Sequence, residues 1–147
     1  MPRIFKDISH EQFYEGNVIR ANREHDPYRE ALFYLLGLTD ETRRYIHDVY
    51  DFQENSIRPE GLHAGWQTGT SSRLTRLAFN LYSGYTGEDE RNAYQYSPYY
   101  IFNNELMPFF FEAVKLRYSE YDRSFMSNMR LASHLTFDEH GQEDIMH

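Results

Sequence analysis

Asp26-Pro27-Tyr28-Arg29-Glu30-Ala31-Leu32-Phe33-Tyr34-Leu35-Leu36-Gly37-Leu38-Thr39 is the stretch that decides the fold class. Aspartate is a favoured N-cap because its carboxylate accepts from the orphan amides of the first turn, and proline is pre-shaped for the first helical position. Ala31, Leu32, Leu35, Leu36 and Leu38 make a wide apolar stripe at helical spacing, which other elements must cover. Gly37 suits the C-terminal turn. Thr39 suits the cap of a following helix, whose expected buried side is Tyr45, Ile46, Val49 and Tyr50.

Upstream, Ser9-His10-Glu11-Gln12 fits a capping box, with Phe13, Gly16 or Asn17, and Arg20 along the helix that follows. Downstream, residues 51–69 carry Pro59, Gly61, Gly65 and Gly69 and read as an irregular connection with a short helical turn. Thr70-Ser71-Ser72 is expected to cap a helix over 73–82, with Leu74, Leu77, Ala78 and Leu81 inside. Residues 83–98, with Gly84, Gly87 and the acidic run Glu88-Asp89-Glu90, read as a mobile loop. Ser97-Pro98 repeats the cap-then-proline signal, and 99–118 is helical with a break at Pro108. A last helix is expected over 123–135. Strand alternation is nowhere sustained. The expectation is all-α: a single-domain bundle of about five to six helices over residues 1–135, with an acidic, frayed tail over 136–147.

At 147 residues the chain has the length of one domain. It has no cysteine, which excludes disulfides, thiolate nucleophiles and cysteine-ligated metal or iron–sulfur sites. No apolar run approaches the roughly 20 residues of a membrane span, and Met1–His10 has no apolar signal core, so no membrane association is expected. Tyrosine (13), phenylalanine (11) and tryptophan (1) are abundant, which suits either a ring-filled core or a tyrosine-rich contact face. The formal charge is −8, and residues 119–147 carry six acids against two bases. That excess reads as a solvated, solubilising surface, or as one that competes for a basic nucleic-acid channel. The acidity argues against direct nucleic-acid binding.

Seven histidines raise metal binding. His-Asp occurs at His25-Asp26 and His47-Asp48, and helical metallo-phosphohydrolases hold divalent ions with histidine and aspartate, leaving open positions for water. His10 or His25, then His47 and Asp48, then Asp122 would be such a set. The alternative is a structural divalent metal, zinc before others, held by some of His10, Asp26, His47 and Asp48. A further group, His134, Asp138, His140, Asp144 and His147, includes i, i+4 spacings suited to adventitious metal. No phosphate-binding glycine loop, nucleophile elbow or H-E-x-x-H motif is present; Tyr14 stands where the second histidine would be. Arg73 and Arg76 resemble the start of a DNA-reading helix, but pairing with nearby acids is the expected role. In residues 57–70, Trp66 is expected to plug the connection onto the helices, with Trp66, Gln67 and Thr68 as a recognition surface in the alternative.

Three groups of residues carry a family resemblance. They are Ala31-Leu32-Phe33-Tyr34 with Leu36-Gly37-Leu38 and Thr42-Arg43; Ile57, Pro59-Glu60-Gly61-Leu62 and Gly65-Trp66-Gln67-Thr68-Gly69-Thr70; and Arg76-Leu77-Ala78-Phe79-Asn80-Leu81. Over about residues 5–118 the chain resembles an uncharacterised family of small proteins from phages, prophages and conjugative elements of Gram-positive bacteria. Phe111-Glu112-Ala113 with Lys115-Leu116-Arg117-Tyr118 looks like that family's ending, and the acidic extension beyond departs from it. The resemblance implies a non-catalytic inhibitor of a host defence nuclease in the bacterial cytoplasm, an anti-CRISPR protein acting on a Cas9-type effector. Glu88, Asp89, Glu90, Glu120, Asp122, Asp138, Glu139, Glu143 and Asp144 would supply charge against the effector's basic channel, and Tyr94, Tyr96, Tyr99 and Tyr100 anchors. The alternatives are the phosphohydrolase and a structural or regulatory module, with either a monomer or a homodimer allowed.

Overall fold

In a computed structural model, which describes residues 2–21 and 25–122, the central apolar stretch forms helix α2 (Pro27–Leu36). Asp26 accepts from the Tyr28 and Arg29 amides, Pro27 opens the helix, and every residue from Ala31 to Leu36 is buried. A helix apolar on all sides must be surrounded. Helix α1 (Ile8–Arg20), α5 (Gly69–Ser83) and α7 (Met107–Arg117) pack on it. Between them run α3 (Asp40–Arg44), α4 (Ile46–Val49), a two-stranded antiparallel ribbon of β1 (Tyr50–Asp51) and β2 (Ser56–Ile57), a 3-10 turn (Pro59–His63), a second 3-10 segment (Glu90–Tyr96) and α6 (Pro98–Ile101). The protein is all-α, and the ribbon is the one sheet among the described residues.

The chain divides into two compact units, Met1–Arg117 and Tyr118–His147. In the second, residues 118–122 form one helical turn, in which the Tyr121 and Asp122 amides donate to the Tyr118 carbonyl. The expected helix over 123–135 and the tail over 136–147 lie outside the described residues.

Several boundaries differ from the sequence reading. Asp7, not Ser9, caps α1, its carboxylate accepting from the His10 amide at 2.8 Å. Thr68 caps α5 ahead of the expected Thr70-Ser71-Ser72: its hydroxyl accepts from the Ser71 amide at 3.0 Å, and the Ser71 hydroxyl accepts from the Thr68 amide at 2.7 Å. The helix capped by Thr39 is interrupted at Tyr45, whose ring turns outward to stack on Trp66 at 5.1 Å. The break expected at Pro108 falls over residues 102–106, between α6 and α7, and Pro108 itself lies in the first turn of α7, where its missing N–H costs nothing. The stretch expected as a mobile loop includes the second 3-10 segment, capped by Asp89.

Arg29 ties the start of α2 to distant parts of the chain. Its side chain is 14% exposed, and it donates to Asp26 Oδ2 at 2.9 Å, to the Tyr50 hydroxyl at 3.0 Å, to the Tyr82 hydroxyl at 2.8 Å and to the Asn55 carbonyl. Asn55 takes a left-handed backbone, φ 54°, that turns its carbonyl into this cluster. Replacing Arg29 by methionine should lower stability by about 3 kcal/mol, because Asp26 and two tyrosine hydroxyls lose their donor. Lysine should restore little, since a point charge cannot span the fork. Urea unfolding of both variants checks this.

Two glycines allow close approach. A Cβ on Gly37 would lie 2.9 Å from His10 Cδ2 and 2.9 Å from Phe13 Cδ1, so α1 could not seat on the end of α2. On Gly61 it would lie 2.3 Å from the Asp48 carbonyl oxygen, which cannot move without the backbone. Gly16, inside α1, has nothing within 4 Å. Replacement by alanine should therefore stabilise at Gly16 by about 0.5–1 kcal/mol. It should destabilise at Gly37 by about 1–3 kcal/mol and at Gly61 by more. The order of the three thermal midpoints tests the packing.

Candidate functional site

The residues read as metal ligands each have another role. His10 is fully buried: its Nδ1 accepts from the Lys6 amide at 3.0 Å, and its Nε2 meets the Tyr34 carbonyl at 2.7 Å. The acceptor role of Nδ1 places the ring proton on Nε2, so His10 is a neutral imidazole with both nitrogens engaged. It sits among Phe5, Tyr34 and Phe109, with ring centroids at 5.2, 4.5 and 6.3 Å. Burial lowers its pKa below 6.5; weaker influences are the Tyr34 carbonyl and Asp7, which raise it, and Arg43 and Lys6, which lower it. Asp26 caps α2 and pairs with Arg29. Asp48 Oδ2 accepts from the Trp66 indole at 2.8 Å, and the His47 ring meets Phe52 edge-on at 5.8 Å. Among the described residues no three histidine, aspartate or glutamate side chains come together as a metal-ligand group, so His10, Asp26, His47 and Asp48 are not assembled. His25 is left-handed, φ 69°, ahead of the α2 cap. The group His134, Asp138, His140, Asp144 and His147 lies outside the described residues.

Trp66 does plug the connection. It stacks on Tyr45 with 13° between ring planes, and its indole N–H is fixed by Asp48. Gln67 beside it is held by the Gly61 carbonyl and the Ser71 hydroxyl, so this side chain is engaged within the fold.

The structure does bring together part of the acidic and tyrosine set. Helix α5 ends at Gly84, whose φ of 78° lets the chain turn back, and the Asn80 amide group holds the Tyr85 carbonyl at 3.2 Å. Asp89 caps the second 3-10 segment and forms a charged pair with Arg91, which draws its carboxyl below the usual range. Ser97 and Pro98 start α6. The result is a ridge over residues 88–100. On it Tyr94 is 63% and Tyr99 88% exposed, and Glu88 and Glu90 are exposed. Tyr96 and Tyr100 are half-buried and serve the fold as well: Tyr96 meets Tyr85 edge-on at 6.2 Å, and Tyr100 lies under Arg73. Glu120 is exposed and Asp122 half-buried, while Asp138, Glu139, Glu143 and Asp144 lie outside the described residues.

Among the described residues Arg73 and Arg76 make no ion pair with an acid. Arg73 donates to the Tyr100 carbonyl at 2.9 Å, and its guanidinium lies 4.4 Å from the Tyr100 ring centroid; that of Arg76 lies 5.9 Å from it. Behind the ridge is a cavity of about 250 Å³ whose lining includes Arg76, which the sequence offers only as part of the start of a DNA-reading helix, and His63, Asn92 and Gln95, which it does not single out. The only signal for them was the i, i+3 arginine pair on α5 followed by a tyrosine-rich stretch.

The structure thus defines a small all-α protein with a tyrosine-bearing acidic ridge, and none of the described helices is long and apolar enough to cross a membrane. The model of DUF6075, a family of unknown function, matches residues 1–130, and the chain belongs to that family. No curated protein and no solved structure matches it.

The setting of His10 has a measurable consequence. Its folded pKa is depressed below 6.5, so the unfolded chain takes up the proton first. Its contribution is therefore complete above about pH 6.5 and is lost as the pH falls toward the folded value. As the pH falls below about 6.5, urea stability should fall by at most roughly 1.4 kcal/mol per unit from this one proton. His10→Gln should flatten that slope.

Proposed function

We propose that the protein works by binding another macromolecule, with the ridge over residues 88–100 as its docking surface. One observation supports this: two tyrosines stand largely in solvent beside carboxylates, Glu88 and Glu90, that make no ion pair among the described residues. Exposed tyrosines are effective anchors because they bring large area at small entropy cost. Unpaired carboxylates beside them select a basic partner and speed its encounter. The formal charge of −8 extends that preference over the whole chain.

The partner in this reading is a nucleic-acid-handling enzyme whose own channel is basic. The resemblance to proteins of phages, prophages and conjugative elements of Gram-positive bacteria narrows it to a host defence nuclease, a Cas9-type effector, which holds its heteroduplex in a positively charged channel. Carboxylates of the ridge would take the place of phosphates there and block guide or target loading, with Glu120, Asp122, Asp138, Glu139, Glu143 and Asp144 adding charge. This makes the protein an anti-CRISPR inhibitor and not an enzyme.

Binding of the full-length protein to a Cas9-type nuclease, with and without guide RNA, tests the reading. Affinity should fall as salt rises, and the double change Glu88→Lys, Glu90→Lys should weaken it by about tenfold or more, with Tyr99→Ala adding to the loss. DNA cleavage inhibited by the wild-type protein should return with these variants. Capture that is empty, or that ignores both salt and charge reversal, would sink the proposal.

A further inference from the structure

The cavity behind the ridge has walls of unlike charge. Helix α5 contributes Arg76, the segment from Tyr85 through the second 3-10 segment contributes Glu88, Asn92, Gln95 and Tyr96, and Leu62 and His63 of the first 3-10 turn complete the lining. Asp89 is neutralised by Arg91, so Glu88 is the carboxylate of that lining without an ion pair among the described residues. Arg76 likewise makes no ion pair among the described residues, although the chain has 23 acids. Its neighbours are the Tyr96 hydroxyl and the Tyr100 ring. Beyond its hydrogen bond to the Tyr96 hydroxyl, the guanidinium has further N–H donors that no carboxylate takes among the described residues. The rings of Tyr85 and Tyr96, 6.2 Å apart and at 78° to each other, form an aromatic corner in the lining that Arg76 and Glu88 share.

We infer that this cavity is a binding site for a small zwitterion with an apolar or aromatic body, an α-amino acid in chemical class. Its carboxylate meets Arg76, its ammonium meets Glu88, and its side chain lies against Tyr85 and Tyr96. Asn92 and Gln95 offer amide donors and acceptors to the remaining polar atoms. The volume of about 250 Å³, below the usual ligand-pocket range of roughly 300–1,000 Å³, suits an occupant of about amino-acid size. Neither charge alone is enough: a simple anion meets Glu88 and a simple cation meets Arg76. This inference does not rest on the docking reading, although Glu88 belongs to both surfaces.

The test is a chemical-shift titration of the ¹⁵N-labelled full-length protein with three probes: L-phenylalanine, N-acetyl-L-phenylalanine, which lacks the cation, and L-phenylalaninamide, which lacks the anion. L-Phenylalanine should give saturable shifts at the amides of Gly87, Asn92 and Gln95 at millimolar concentration. Each blocked probe should bind about tenfold more weakly. Arg76→Gln and the surface variant Glu88→Gln should each lose about as much, with the rest of the spectrum in place to show that the fold is intact. No saturable shift with L-phenylalanine, equal binding of the three probes, or full binding by both variants would overturn the assignment.

Discussion

The fork of Arg29 is the interaction on which the rest of the structure depends. Helix α2 carries the longest unbroken buried run among the described residues, so its placement determines where α1, α5 and α7 can lie. The start of that helix is fixed by one guanidinium that reaches Tyr50, the carbonyl of Asn55 and Tyr82, the last of these 53 residues away in sequence. A partly buried cation is costly in isolation, and here each of its three nitrogens donates to an oxygen. The cluster sets the relation of α2 to the ribbon and to the end of α5, from which the candidate site is built.

The other end of α2 is fixed by shape. Gly37 lets the rings of His10 and Phe13 approach, and His10 joins the chain ahead of α1 to Tyr34 through its two nitrogens. The Tyr34 hydroxyl donates to the Ile4 carbonyl at 3.0 Å, and the buried Glu112 accepts from the Arg3 amide at 2.6 Å. The N-terminal residues are thus held by backbone hydrogen bonds to side chains on α2 and α7. This explains much of the aromatic excess: several rings fill the core and the seams between short helices, while Tyr94 and Tyr99 do not.

What could be read from the sequence was local. Asp26-Pro27, Thr39 and Ser97-Pro98 act within their own turns, and each starts a helix as read. The cap of α5 was misplaced because Thr68, Thr70, Ser71 and Ser72 all have a hydroxyl, and only the reciprocal bond between Thr68 and Ser71 distinguishes them. The interruption at Tyr45 depends on Trp66, and the ribbon has two residues per strand, too few for an alternation to register. The candidate ridge was partly legible, as a run of acids and tyrosines. That Tyr96 and Tyr100 turn inward, and that Arg73 and Arg76 face a ring, are matters of tertiary packing that spacing cannot express.

Arg29, Arg43, Arg73 and Arg117 each donate to a backbone carbonyl, those of Asn55, Gly37, Tyr100 and Leu81. Arg117 also lies 3.8 Å over the Tyr28 ring. Part of the positive charge is therefore directed at the main chain, although Arg29 and Arg43 also pair with Asp26 and Asp40, and many exposed acids have no ion pair among the described residues. Most surface carboxylates can then be gained, lost or moved at little cost to the fold, because few internal partners depend on them. The surface charge pattern of such a protein is free to drift in step with whatever it contacts, while the arginines that hold the scaffold cannot become lysines. Conservation across relatives should separate along that line, with invariant guanidiniums inside and rapidly changing acids outside.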